Sequence, residues 1–401
     1  MTDYSRQEAA ERAGVSIEEL TQILGLGMLG ERGDDRLTAG DIRKVGLIRD
    51  LAASGLPLTA LAAELETGRL SLDFMDNPAL DMFAALTDQT FEALSASTGF
   101  PLQVLLVIRE AIGAAVPSPT DRVGENEMAV VPLIQAQLAS GYSATAVERG
   151  LRTLGDSLQR LTTADADDFR RFVIEPVARR PDVKGADLGD ATVAAMQRLS
   201  GPSDRALLAI YHGQQAHAWT ANIISGFEDD LAEAGLYSAM KRPPAVCFLD
   251  LTGFTRLTAE QGDEAAAELA HELARLVQRT SVQYGGRAVK WLGDGVMFYF
   301  RDPGSGVLAA LEMADGVIAA GLPPAHVGLD AGPVVMQGGD YYGQTVNLAS
   351  RIAGYARPGE VVVSQAVVNS AEGAQLAFAD LGEVELKGVT GTVHLHAARR
   401  G

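Results

Sequence analysis

The sequence predicts an α+β protein in which an all-α N-terminal region, reaching to residue 241, precedes a C-terminal domain of mixed strand and helix. Three observations predict it. Apolar residues recur at helical spacing through the N-terminal region. The adjacent Pro243 and Pro244 must stop any helix. Beyond them, apolar runs of strand length alternate with helical patterns. At 401 residues the chain is too long for one ordinary core, so more than one domain is expected.

Composition narrows the function. Apolar residues make up 47% and charged residues 21%, a globular balance. A net charge of -19, spread along the whole length, argues against general affinity for nucleic acid or anionic lipid and favours a small-molecule role. Cys247 is the only cysteine, so neither an intrachain disulfide nor a cysteine zinc cluster can form. The N-terminus lacks the apolar core of a signal peptide, and no charge-free stretch is long enough to span a bilayer. A cytoplasmic protein with no membrane partner is expected.

Taken in order, residues 5 to 66 read as helices over 6–13, 16–24, 38–54 and 57–65, punctuated by Gly14, Gly25, Gly33 and Gly55. The stretches EAAERAGVSIEELTQILGLGML and DDRLTAGDIRKVGLIRDLAASGLPLTALAAEL resemble the winged helix-turn-helix of MerR-type regulators, which sets a module over 1–75. That resemblance implies DNA as a partner, but residues 1–75 hold 8 Lys and Arg against 13 Asp and Glu. The would-be recognition helix carries Glu18 and Glu19 and no basic residue, so it would repel phosphates. A regulatory or dimerisation role is expected instead. Residues 76–202 read as a helical regulatory domain, with Phe91, Leu102, Leu105, Leu106, Ile108, Val131, Leu133 and Ile134 as core positions. Over 203–241 a long connecting helix is expected, because Trp219, Ile223, Phe227 and Leu231 recur every four residues.

From Ala245 the pattern gives a strand to Leu249, a helix from Asp263 to Tyr284, and a hairpin of 288–291 with 296–300 around Gly293-Asp294-Gly295. A helix over 306–320, a strand over 326–330, a helix over 345–356 and C-terminal strands complete the 242–401 domain. A mostly antiparallel sheet with helices on one side, as in ferredoxin-like palms, is the expected packing.

Asp250 ends the first of these strands and Asp294 occupies the hairpin tip. Neighbouring strands would bring the two carboxylates to one edge, where oxygen ligands could share hard divalent cations. Asp250-Leu-Thr-Gly-Phe-Thr255 is a strand-to-helix connection whose backbone N–H groups could receive a polyphosphate. Asn347 and Arg351, four apart in a helical segment, project from one face.

FLDLTGFT, VKWLGDGVMF and DYYGQTVNLASR resemble, in order and spacing, the three catalytic motifs of class III nucleotidyl cyclases, and the similarity covers residues 244–398. The resemblance implies a ferredoxin-like cyclase palm that converts ATP to cyclic AMP and pyrophosphate. It implies that Asp250, Leu251 and Asp294 hold two Mg²⁺ or Mn²⁺ ions per active site. Thr252, Gly253, Phe254 and Thr255 would bind substrate phosphates, and Lys387 would reach the terminal ones. Lys290 and Asp340 match the purine-selecting pair, with an ammonium for the N1 acceptor of adenine and a carboxylate for its N6 donor. Guanylate cyclases of the family carry Glu and Cys there. Asn347 would orient the ribose and Arg351 would neutralise charge on the α-phosphate. In the family these residues and the metal ligands come from different protomers, so a chain with each motif once implies a homodimer with two composite sites.

Two other readings remain at this level. One is guanylate cyclase activity, opposed by Lys290 and Asp340. The other is a DNA-binding or scaffold regulator using the domain as dimeriser or nucleotide sensor, opposed by the intact carboxylate pair and the acidic N-terminal module. The GG[DE]EF turn of another palm-bearing cyclase class is absent from the sequence.

Overall fold

The computed structural model describes residues 4–29, 36–77, 80, 86–180, 183, 186–236, 243–371 and 375–401. Gly33 and the end of the 203–241 segment, residues 237–241, lie outside the described residues. The chain divides into two compact units, Met1–Thr220 and Ala221–Gly401. Among the described residues no helix is long and apolar enough to cross a membrane.

The first unit opens with α1 (Arg6–Ala13), α2 (Ile17–Gly25), α3 (Ala39–Ala53) and α4 (Leu58–Glu66). Three of them start on reciprocal capping boxes, Ser5 with Glu8, Ser16 with Glu19 and Thr38 with Asp41, which satisfy first-turn N–H groups. Glu19 therefore has a structural task at the start of α2 besides its charge. The four helices close on Leu20, Ile23, Val45 and Ile48. Arg43 and Lys44, two of the eight basic residues of this segment, are buried: Arg43 donates to the Met75 carbonyl and Lys44 lies 2.8 Å from Asp76. They are not available to phosphates on a surface.

A second core gathers β1 (Leu86–Thr90), α5 (Phe91–Thr98), α6 (Leu102–Ala111), β2 (Arg122–Gly124), α7 (Glu125–Met128), α8 (Val131–Ala139) and α9 (Ala144–Phe169) around Phe91, Leu105, Ile108 and Ile134. Among its described residues the unit's regular structure is thus helical apart from the short β1–β2 pair and a Tyr4–Leu37 bridge. Of the expected core positions Leu133 points outward instead, at 46% exposure. A π turn over Arg170–Ile174 joins α9 to α10 (Glu175–Ala178) just ahead of Pro176, where the missing N–H would interrupt an α ladder. Helix α11 (Ala186–Glu233) is 48 residues long and begins well before the expected Ser203, because Pro202 is carried inside it. Trp219, Ile223, Phe227 and Leu231 remain exposed along it.

In the second unit the chain forms β3 (Ala245–Leu251), α12 (Phe254–Gln261), α13 (Asp263–Gln283), β4 (Gly286–Leu292), β5 (Gly295–Phe300), α14 (Pro303–Ala319), β6 (Ala325–Ala331), β7 (Val335–Gln337), β8 (Asp340–Tyr342), α15 (Gln344–Tyr355), β9 (Val361–Ser364), α16 (Gln365–Ser370), β10 (Leu376–Glu385) and β11 (Thr392–Arg400). Seven strands make one sheet in the order β10-β11-β9-β6-β3-β5-β4, antiparallel except where β6 meets β9. β7 and β8 form a separate ribbon.

Strand alternation divides the core in two. Ala245, Cys247, Leu249 and Leu251 pack with Leu273 and Val277 of α13 and Val307 and Met313 of α14. Val246 and Phe248 pack with Val346, Ala349 and Ala353 of α15. Helices therefore cover both faces of the sheet, not one. The reason lies in β3 and β6, which are buried at nearly every position and need cover on both sides.

Gly328 of β6 lets α15 come close: a Cβ there would lie 2.0 Å from the Ala353 nitrogen and 2.5 Å from its Cα. Backbone cannot rotate out of the way. Gly328→Ala should cost about 1–3 kcal/mol or more through overpacking. Chemical denaturation should show this as a lower midpoint.

Candidate active site

β3 ends with Asp250 on the α15 face, since its neighbours Leu249 and Leu251 are committed to the other. Asp250 stands opposite Gly295 of β5 and His326 of β6. Gly295 is required here, because a Cβ would sit 2.8 Å from Asp250 Oδ1. Asp294 precedes it in the β4–β5 turn. Burial first, and then the Asp250 charge, push the Asp294 carboxyl above the usual carboxylate range.

Two acidic groups placed so that the charge of Asp250 disfavours ionisation of Asp294 suit a divalent cation, whose charge removes the repulsion. The neighbouring loop supports that fit. Thr252 Oγ1 is buried without a hydrogen-bond partner, while the Thr252 N–H is used by the Pro324 carbonyl at 2.9 Å. Gly253 then opens α12 with Phe254 as its first residue. The Leu251 side chain is in the core, so only its backbone can serve a ligand. The Thr255 side chain lies outside the described residues.

Lys290 and Asp340, fifty positions apart, meet at 2.6 Å, and both are half-buried. A bulge makes this possible. Ala288 pairs with Phe298, whereas Lys290 pairs with Met297, so β4 gains a residue and Lys290 turns to the α15 face. Asp340 opens β8, and its other oxygen accepts the Tyr341 N–H at 2.7 Å. Beside the pair, Tyr299 and Tyr341 stack at 4.5 Å under the Arg287 guanidinium, which also donates to the Tyr341 hydroxyl.

Asn347 and Arg351 lie one turn apart on α15 and are exposed. Arg351 reaches the β10–β11 turn: its Nη2 would be 3.9 Å from a Cβ on Gly388, the residue after Lys387. Lys387 itself is exposed. Within one chain, no hydrogen bond or ion pair among the described residues connects the Asp250–Asp294 group with Lys290–Asp340 or with Asn347 and Arg351.

Sequence reasoning missed His326. Its Nε2 is 3.4 Å from Asp250 Oδ2 and its Nδ1 is 2.8 Å from the Ala353 carbonyl. The hydrogen bond to Asp250 is the main reason its imidazole is pushed above the ordinary histidine range. No motif marks it, and only the β3–β6 register places it there. It joins the carboxylate to α15 as a positioning residue.

The family model of the adenylate and guanylate cyclase catalytic domain matches residues 324–397, the stretch that holds Asp340, Asn347, Arg351 and Lys387. The C-terminal part of the second unit matches the class III cyclase catalytic domain. This chain is 29% identical over 321 residues to the pH-sensitive adenylate cyclase MT1302 of Mycobacterium tuberculosis, covering 77% of each. It is 30% identical over 235 residues to an adenylate cyclase of Streptomyces coelicolor, of which it spans 58%. Against the solved structure of the adenylyl cyclase CyaB from P. aeruginosa the TM-score is 0.36 at 24% identity, covering 40% of this chain and 95% of that one. Cyclase domains of this class generally use divalent metal ions.

Proposed function

We propose that the chain is a regulated adenylate cyclase that converts ATP to 3′,5′-cyclic AMP and pyrophosphate in composite sites of a homodimer. The Lys290–Asp340 pair carries the reading. Its donor and acceptor already meet at one point, matched to the adjacent N1 acceptor and N6 donor of adenine. Guanine presents the reverse pattern, which would leave buried polar groups without partners.

Asp250, the Leu251 carbonyl and Asp294 hold two Mg²⁺ or Mn²⁺ ions; when bound, these supply Lewis-acid activation of the ribose 3′-OH and charge neutralisation at the leaving pyrophosphate. The chain's own groups do the rest. The Thr252–Thr255 turn and the start of α12 direct N–H groups at the phosphates. Asn347 orients the ribose so that its 3′ oxygen lies in line with the α-phosphorus. Arg351, a fork-shaped permanent cation, compensates the charge growing on the α-phosphate oxygens. Lys387 approaches the terminal phosphates from the β10–β11 turn.

Dimerisation is supported by apolar side chains left uncovered. Val335, Met336 and Tyr342 of the β7–β8 ribbon and Trp219, Ile223 and Phe227 of α11 are all more than half exposed. The first unit, with its own cores and no catalytic motif, is the regulatory part.

The test is turnover by the purified full chain with ATP or GTP and with Mg²⁺ or Mn²⁺. Cyclic AMP should form, at a rate at least about a hundred times that of cyclic GMP, as polar discrimination allows. A preference for GTP would overturn the substrate assignment. Equal specific activities of the full chain and residues 221–401 would remove the regulatory role of the first unit.

A further inference from the structure

The β10–β11 hairpin assembles a second set of ligand-type side chains, away from Asp250 and on the opposite face of the sheet. His394 and His396 alternate on β11 in phase with Ala398, which packs in the α13–α14 core. Their rings stack with centroids 4.8 Å apart and planes 4° from parallel. Across the ladder, Asp380 pairs with His396 and Glu383 with His394. Three residues apart, Asp380 and Glu383 would point to opposite faces of a regular strand. A bulge between Asp380 and Gly382, with Gly382 at φ 78°, inserts the residue that puts both carboxylates on the histidine face.

The contacts are those of a prepared coordination shell. Asp380 Oδ1 is 2.7 Å from His394 Nε2, and one ligand atom from each of Asp380, His394 and His396 lies within 4.8 Å of the others. Behind the imidazoles stand two further acceptors. Glu383 Oε1 is 3.5 Å from His394 Nδ1, and Gln365 Oε1 is 2.7 Å from His396 Nε2. The Gln365 acceptor fixes the tautomer that leaves His396 Nδ1 as a lone-pair donor, while His394 Nε2, which donates to Asp380 in this structure, releases that proton when a cation replaces the hydrogen bond. Charge agrees with it. The Gly382 N–H, then His394, hold the Asp380 carboxyl below the usual range, and burial keeps His396 below the ordinary histidine value, so a carboxylate and a neutral imidazole coexist near neutrality.

We propose that Asp380, His394 and His396 form a binding site for a borderline divalent cation of the zinc class, distinct from the Asp250–Asp294 pair. Two imidazoles and one carboxylate suit zinc-class ions, whereas Mg²⁺ and Ca²⁺ call for all-oxygen shells. Three protein ligands leave a fourth position for water. The exposed Asp380 side chain can rotate to close the shell. A bound ion would join β10 to β11 in the hairpin whose turn carries Lys387.

The test uses the tag-free full chain with Asp250→Asn and Asp294→Asn, so that the catalytic carboxylates do not contribute, stripped with chelator and titrated with Zn²⁺ and with Co²⁺. One equivalent of Zn²⁺ per chain should bind, Co²⁺ should develop a visible d–d band, and both should vanish with His394→Asn and His396→Asn added. Gln365→Ala should weaken binding about 10- to 100-fold. If the double histidine variant fails to fold, the exposed Asp380→Asn substitution alone should lower affinity by at least about tenfold on the same ground. Absence of Zn²⁺ binding by the stripped protein, or unchanged affinity in the histidine or Asp380 variants, would overturn the proposal.

Discussion

Asp250→Ala and Arg351→Ala chains, each inactive alone, should regain about a quarter of wild-type activity when co-expressed. Asp250→Ala removes a carboxylate from the metal-ligand pair, and Arg351→Ala leaves charge on the α-phosphate uncompensated. In a homodimer of either variant, both composite sites carry the same lesion. A mixed dimer differs. One of its sites collects both lesions, while the other combines the intact Asp250 of one chain with the intact Arg351 of its partner. Random pairing makes about half the dimers mixed, each with one good site of two, which gives about one quarter. Recovery should require subunit exchange during synthesis. Verified mixed dimers that stay as inactive as either parent would show that a single chain assembles the whole site.

Exchange of the purine pair should produce the other large effect. Lys290→Glu combined with Asp340→Cys should lower turnover of ATP by about 10²-fold or more and raise that of GTP, because a carboxylate and a thiol reverse the hydrogen-bonding demand. The β4 bulge fixes where residue 290 points, so the new carboxylate should occupy the place of the ammonium. Each single substitution should be worse for both nucleotides than the pair is for GTP, since either one leaves a mismatched group facing the base. Steady-state kinetics of the four proteins with both nucleotides would check this. A double variant that keeps full preference for ATP would place purine selection elsewhere.

Much of this was legible in the sequence because it depends on local chemistry. Glycines at 14, 25 and 55 marked the breaks between the first helices, and Pro243-Pro244 marked the change to strands. The three motifs marked the catalytic groups together, so their residues could be named before any geometry was known. What escaped depends on pairing between distant segments. A bulge leaves no trace in alternation, so neither the turn of Lys290 toward Asp340 nor the shared face of Asp380 and Glu383 could be read. His326 meets Asp250 only through strand register. The start of α11 was hidden by Pro202, which reads as a boundary yet is carried inside a helix. The second layer of helix over the sheet followed from the apolar run Ala245–Leu249 of β3, which requires cover on both sides and was read as needing it on one.

Cys247 lies in β3, between β5 and β6, and only 1% of its surface is accessible. Burial also pushes its thiol far above the ordinary cysteine range, so the reactive thiolate is scarce as well as sheltered. A thiol reagent can therefore reach it only when the central strands part. With no second cysteine in the chain, the rate of alkylation measures how often the catalytic sheet opens, as hydrogen exchange does for a core amide. The protein contains its own single-site chronometer of unfolding, silent in the folded state and readable by mass alone.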